Sequence, residues 1–346
     1  MRKFVAPEIV FGAGALELAG QYAHNFSGRS VLLVSDSGVK EAGWASQVED
    51  SLTSAGLRVE YFDRISSNPR AEEVMLGATV YQEKICDLIV AVGGGSPIDC
   101  AKMIGAVVAN RCHALDLEGV DMVPIPGPPL ICIPTTAGSS ADVSQFAVIN
   151  DEGKKRKFVI ISKSMVPDVS LIDPLTTTTM TTELTAATGL DALSHAFEAY
   201  VSNASFPLTD MCALEAVRLI SSNLPKVHEE PSNMQYREKV MLGSLYAGLA
   251  FSNASLGLVH AMAHSLGGFY DTSHGECNAI LLEKVVEFNY PAAPIKYDTL
   301  EKAMCGKKGG PGAQSLVGEL KDLRCRLGIP WGLQHMGVRA KDIPYL

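Results

Sequence analysis

The sequence has no excess of positive charge: 29 Lys and Arg stand against 38 Asp and Glu, for a net charge of −9. A nucleic acid or an anionic membrane surface calls for basic clusters, so neither is expected as a partner. The one dense basic run, Lys154-Lys-Arg-Lys157, is too short to make such a surface alone. No apolar stretch approaches the length of a membrane span, and Pro7 and Glu8 arrive before any run of signal-peptide length. A cytoplasmic protein is expected. The eight cysteines include no Cys-x-x-Cys pair, and Cys86, Cys100, Cys132 and Cys277 lie in apolar segments, which reads as reduced core thiols in a reducing compartment. Neither Gly-x-Gly-x-x-Gly nor a Walker A loop occurs, and there is no internal repeat or long low-complexity linker.

What is present is an ordinary globular composition, 47% hydrophobic and 19% charged, in 346 residues. That length exceeds one ordinary core and predicts two domains. The first half alternates apolar runs with helical stretches. Residues 30–36 form a continuous apolar run bounded by glycines, the pattern of a strand buried on both faces of a parallel sheet. A helix over about 43–56 and a strand at 57–62 complete a βαβ unit, and a helix over about 70–84 feeds a strand at 87–92.

That strand runs into Gly93-Gly-Gly-Ser-Pro-Ile-Asp-Cys-Ala-Lys102. Three glycines let backbone approach a ligand, and the bare N–H groups of the following helix start suit a phosphate. Ser96 is expected as N-cap, with Pro97 at the first helical position and Asp99 in the first turn. A tight turn without a ligand has the same appearance. Asp36, closing the first strong strand, suits the hydroxyls of an adenosine ribose and opposes a 2′-phosphate, favouring NAD over NADP. It equally suits a cap for the next turn. Further strands are expected at 129–134, 143–149, 157–162 and 170–174, and the hydroxyl-rich turn after Pro134, Thr135-Thr-Ala-Gly138, can contact a cofactor or simply pack.

From Thr181 onward the pattern is helical, including about 207–223 and 236–253. Within it, Gly189-Leu-Asp-Ala-Leu-Ser-His195 sets Asp191 and His195 four residues apart, on one helix face. His260 and His264 repeat that spacing, and His274 follows in Ser273-His-Gly-Glu276. A carboxylate and an imidazole on one face can hold a divalent ion if two more ligands arrive, and His260 and His274 offer them. Three imidazoles and one carboxylate suit Fe(II), Zn(II), Co(II) or Ni(II), whereas Mg and Ca prefer oxygen shells. Fe(II) leaves room for substrate beside four protein ligands more readily than tetrahedral zinc does. The alternative is a set of hydrogen-bonded core histidines.

Taken together, Gly93-Gly-Gly-Ser-Pro-Ile-Asp99, Pro134-Thr-Thr-Ala-Gly138, Gly189-Leu-Asp-Ala-Leu-Ser-His195 and Gly257-Leu-Val-His-Ala-Met-Ala-His264 resemble the iron-containing, or group III, alcohol dehydrogenases. The four motifs follow the family's order and span nearly the whole chain. The resemblance implies an α/β Rossmann-like N-terminal domain that binds NAD(P), residues 1–178, and an all-helical, metal-binding catalytic domain, residues 179–346, an architecture like that of the dehydroquinate synthases. It carries metal ligation to Asp191, His195, His260 and His274, and a catalytic or substrate-positioning role to His264. It carries cofactor contacts to Asp36, Asn68, Gly94, Gly95, Ser96, Asp99, Thr135, Thr136 and Lys157. The implied cofactors are NAD, ahead of NADP, and Fe(II), with Zn(II) as the alternative.

The implied reaction is hydride transfer between a primary alcohol or diol and the nicotinamide, giving the aldehyde, with the ion polarising the oxygen. A homodimer or larger homo-oligomer is implied as well. A zinc-using polyol oxidoreductase like glycerol dehydrogenase and a catalytically silent homologue are the rival readings. Ser273 and Cys277 depart from the family's usual proline and alanine, which leaves the pocket rim and the substrate open. Relatives usually continue for a few dozen residues past Leu346, so the C-terminal end is expected to be incomplete.

Overall fold

The computed structural model describes residues 3–306 and 312–346. The chain divides into two compact units: an α/β unit of Val5–Thr136 and Ala141–Thr179, and a helical unit built on Met180–Leu346 that also takes in Ala137–Ser140.

In the α/β unit, β1 (Glu8–Phe11), β2 (Ser30–Val34), β3 (Arg58–Phe62), β4 (Leu88–Gly93), β6 (Leu130–Pro134) and β9 (Val169–Ile172) form one six-stranded sheet in the order β1-β9-β6-β4-β2-β3. All its pairings are parallel. Its helices are α1 (Ala19–Asn25), α2 (Ser37–Glu41), α3 (Trp44–Ser54), α4 (Ala71–Glu83) and α5 (Gly95–Asn110). The continuous apolar runs of β2, β4 and β6 are needed because both faces of the sheet are covered. Along β2, Val31 and Leu33 enter the core that includes Val48 and Leu52 of α3. Leu32 and Val34 enter the opposite core, with Val74 of α4 and Ile104 of α5.

Two features go beyond the sequence expectations. Glu8–Phe11 is a strand, which four residues after a proline did not reveal, and it closes the sheet edge beside β9. The strands β7 (Phe146–Asp151) and β8 (Arg156–Ile161) do not extend the parallel sheet. They pair antiparallel and, with the two-residue β5 (Gly119–Val120), make a separate three-stranded sheet. Lys102 ties α5 to this part of the unit. Its buried ammonium donates to the Ser144 and Phe146 carbonyls at 2.9 and 2.8 Å, and burial lowers its pKa.

The helical unit consists of α6 (Thr182–Val201), α7 (Pro207–Glu229), α8 (Met234–Ala254), α9 (Leu258–Tyr270), α10 (His274–Asn289), α11 (Pro294–Cys305) and α12 (Ala313–Arg326). The Thr181 hydroxyl caps α6 by accepting the Leu184 N–H. α6 is buried almost all round, which its small residues allow: at Gly189 an added Cβ would lie 2.4 Å from Leu224 of α7. Between α8 and α9 the chain turns by 98°, with Ser255 in the positive-φ region at 67°. No single helix among the described residues is long and apolar enough to cross a membrane.

The turn that follows the edge strand is held by one carboxylate. Asp173, fully buried, accepts the Gly14 N–H at 2.8 Å, the Leu16 N–H at 3.4 Å and the Leu175 N–H at 3.0 Å. Asp173→Ala leaves these donors without it, and a cost of about 3 kcal/mol is expected from net values of 1–3 for an unsatisfied buried group. A denaturant midpoint unchanged from the parent would refute this account of the edge.

Candidate metal centre and nucleotide loop

Asp191 and His195 share a face of α6, and two further backbones are brought to it by glycines. A Cβ at Gly275 would lie 2.5 Å from the Ala187 carbonyl oxygen, so only glycine lets the start of α10 come this close to α6. That approach delivers His274, the first residue of α10. A Cβ at Gly257 would lie 2.9 Å from Glu198 Oε1, and here the start of α9 meets α6 and delivers His260.

The result is a buried cluster in which three imidazole nitrogens surround one carboxylate oxygen. Asp191 Oδ1 is 3.8 Å from His195 Nε2, 3.6 Å from His260 Nε2 and 3.8 Å from His274 Nε2. Such separations are what two donors of one ion keep when each lies about 2.1 Å from it. Asp191, His195 and His260 offer donor atoms all within 4.8 Å of one another. His195 is sandwiched between Phe251 and His260, with ring centroids 4.3 and 4.5 Å away. His274 keeps 27% of its side chain accessible, against 3–6% for the other three, and so marks the side from which a small molecule can approach.

The electrostatics favour a cation. Burial opposes ionisation of Asp191, but the His195, His274 and His260 imidazoles hold its carboxyl well below the usual range. Burial pushes His195 down to about 4, against the pull of Asp191, so this ring is neutral at pH 7 with a lone pair to give. Burial also opposes charge on His260, yet its hydrogen bonds to Asp191 and Glu198 raise it to about 9. A cluster with two buried carboxylates thus draws a positive charge to its centre. One oxygen and three nitrogens of this kind suit a borderline transition metal.

Two residues that the sequence reading passed over complete the cluster. Glu198 accepts from His260 Nδ1 at 2.6 Å and from the N–H groups of Gly257 at 3.0 Å and Val259 at 2.6 Å. It therefore caps α9 from another helix and keeps a proton on His260 Nδ1, so that Nε2 is the nitrogen that would give up its proton to a cation. Asn278, one turn after His274, places its amide nitrogen 2.6 Å from Asp191 Oδ1. Both were within reach of the spacing rule: Asp191, His195 and Glu198 run i, i+4, i+7, and His274 and Asn278 run i, i+4. His264 lies beside the cluster, its ring 5.1 Å from His274 and 6.2 Å from His260.

In the α/β unit, α5 begins at Gly95 with Gly94 as N-cap. Ser96 is therefore inside the first turn and is not the cap; its hydroxyl donates to the Ser67 carbonyl. Gly93, at φ +153°, closes the turn earlier than a Ser-Pro start would, and no side chain fits there because Pro97 would lie 2.6 Å from its Cβ. A Cβ on Gly94 would press on Thr136 at 3.2 Å, and the Thr135 N–H donates to the Gly93 carbonyl. Gly94, Gly95, Ser96, Thr135 and Thr136 are thus one neighbourhood at the end of β4 and β6. Asp99 falls beyond the first turn and accepts the Val148 N–H at 3.1 Å; burial pushes it up to about 6 despite Lys102, that N–H and Lys157. Asn68 Oδ1 accepts from Lys157 at 2.7 Å. Asp36 caps α2, accepting the Val39 N–H at 2.9 Å.

Comparison with known proteins gives consistent matches. Residues 6–174 match the family model described as iron-containing alcohol dehydrogenase, and residues 185–346 match that of the Fe-containing alcohol dehydrogenase family, C-terminal. The chain is 38% identical to 1,3-propanediol dehydrogenase of Klebsiella pneumoniae, covering 100% of this chain and 91% of that protein. It is 35% identical to NAD-dependent methanol dehydrogenase of Bacillus methanolicus, covering 99% and 91%. A crystal structure of a 1,3-propanediol oxidoreductase superposes with a TM-score of 0.96 at 39% identity, covering 100% of this chain and 92% of that one.

Because Glu198 joins the start of α9 to the His260 ring, Glu198→Ala is expected to weaken divalent-ion binding by about 10–100-fold, the range for partners of metal-ligating histidines. Competition with a chromophoric chelator reads the affinity. An unchanged value would separate Glu198 from the cluster.

Proposed function

We propose, on the premise that this chain belongs to the iron-containing alcohol dehydrogenase family and is an oxidoreductase, that it transfers hydride between a short primary alcohol or diol and NAD, interconverting the alcohol and the aldehyde. The observation that carries this reading is the set of three imidazole nitrogens, two of them from buried rings, within 3.8 Å of one buried Asp191 oxygen.

In this reading Asp191, His195, His260 and His274 hold the ion, Fe(II) by the family's description, with Zn(II) as the alternative. A divalent ion so held supplies Lewis-acid polarisation of the alcohol or aldehyde oxygen. The chain's own residues do the rest. Glu198 keeps the His260 proton on Nδ1, burial of the cluster excludes water, and the accessible edge of His274 with neighbouring His264 positions the substrate. His264 either relays the alcohol proton or orients the substrate hydroxyl.

Backbone N–H groups of Gly95 and Ser96 at the α5 start, with Gly94, Thr135 and Thr136 packed around them, receive the pyrophosphate. Asn68 and Lys157 flank the cofactor, and Asp99 supports the loop through β7. NAD is favoured over NADP by the Asp36 carboxylate at the end of β2, and a similar protein is named for NAD. A cytoplasmic homo-oligomer is part of the same reading, and all eight cysteines being free thiols is consistent with a reducing compartment.

The deciding experiment is NADH production from a panel of short primary alcohols and diols, with enzyme stripped by chelator and reloaded anaerobically with Fe(II), Zn(II) or nothing. Turnover restored by an ion is expected, and His195→Ala is expected to lose both ion and turnover while keeping NAD affinity. Full ion stoichiometry in that variant would overturn the ligand assignment. For the cofactor, Asp36→Gly is expected to raise kcat/KM for NADP relative to NAD; an unchanged ratio would remove Asp36 from the ribose.

A further inference from the structure

Asn278 is fully buried on α10, one turn beyond His274 and on the same face. Its amide nitrogen lies 2.6 Å from Asp191 Oδ1, 3.0 Å from His260 Nε2 and 3.2 Å from His274 Nε2. Three donor atoms from three helices are therefore within hydrogen-bond reach of one amide group. The other half of that amide, Oδ1, is buried with no hydrogen-bond partner among the described residues. An apolar side chain of similar shape would fill the space without stranding an oxygen, so what the position needs is the N–H pair.

The acceptors facing Asn278 are also specific. With a proton on Nδ1 facing the Glu198 carboxylate, which can only accept, His260 Nε2 offers the amide a lone pair only in the neutral ring, whereas Asp191 accepts whether or not that ring is charged. Asp191 presents a carboxylate oxygen. A lone pair given to a cation is no longer open to an N–H, but the Asp191 carboxylate has further lone pairs for Asn278.

We propose that Asn278 is a positioning residue of the metal centre, orienting Asp191 and drawing the Asp191, His260 and His274 donor atoms onto one point. This rests on the cation reading given above. Oriented carboxylates and histidines bind metals more tightly because the ligand set is prepaid in conformational freedom, and loss of such a partner typically weakens binding by about 10–100-fold.

The test uses Co(II) in the full-length protein, with affinity from chelator competition and the ligand-field absorption spectrum as a readout independent of turnover. Asn278→Ala is expected to weaken Co(II) binding by about 10–100-fold and to shift the absorption bands. Asn278→Ser, which keeps a hydroxyl donor, is expected to recover part of the affinity. Thermal midpoints of chelator-treated samples separate positioning from packing. Parent-like affinity and spectrum in Asn278→Ala would overturn the proposal, as would equal losses in Ala and Ser variants that track the thermal midpoint. Failure of the parent protein to bind Co(II) would instead overturn the cation reading on which the proposal stands.

Discussion

The distance between helix backbones around α6 is the constraint on which the helical unit depends. Side chains of three helices meet at Asp191 where Gly275 lies against the Ala187 carbonyl and Gly257 leaves room for the Glu198 carboxylate. A methyl group at Gly275 would meet backbone and force the start of α10 outward, and one at Gly257 would displace the Glu198 carboxylate that holds the His260 ring. Gly189 against Leu224 performs the same service for α7, so that α6 is enclosed and its Asp191 and Glu198 carboxylates are buried. Low dielectric then makes each unbalanced charge matter. Burial by itself opposes charge on both Asp191 and His260, and it is their mutual pairing, with Glu198, His195 and His274, that raises His260 and depresses Asp191; the same paired carboxylates attract a cation.

Much of this was legible from residue spacing. Continuous apolar runs announced β2, β4 and β6 because a sheet covered on both faces leaves no polar side to read. The i, i+4 pairs announced that Asp191 and His195 share a face, and that His260 falls on a helix. What spacing could not announce is which donors meet, since that depends on the 98° turn between α8 and α9 and on glycine contacts across helices. Glu198 and Asn278 carried a usable signal in their helical spacing, but a glutamate and an asparagine do not stand out as histidines do.

Elsewhere, local rules competed and one prevailed. Ser96 followed by Pro97 has the look of a cap and first helical residue, yet the positive φ of Gly93 starts α5 two residues sooner. Asp36 satisfies the capping role that its position after a strand allows, which neither requires nor forbids a ribose contact. Glu8–Phe11 was hidden because four residues at a sheet edge have too short a pattern to show a period. Its place is fixed by pairing with β9, far along the chain, and Asp173 just after β9 holds the turn that follows it, contacts no local window contains.

The capping of α9 by Glu198 has a kinetic side. One carboxylate holds both the first amides of that helix and the Nδ1 proton of His260, so the first turn cannot fray without releasing the ring. Opening of that turn and loosening of the imidazole are one event with one free energy. A ligand held by His260 would be released with that helix end, and amide hydrogen exchange at Val259 would report the opening.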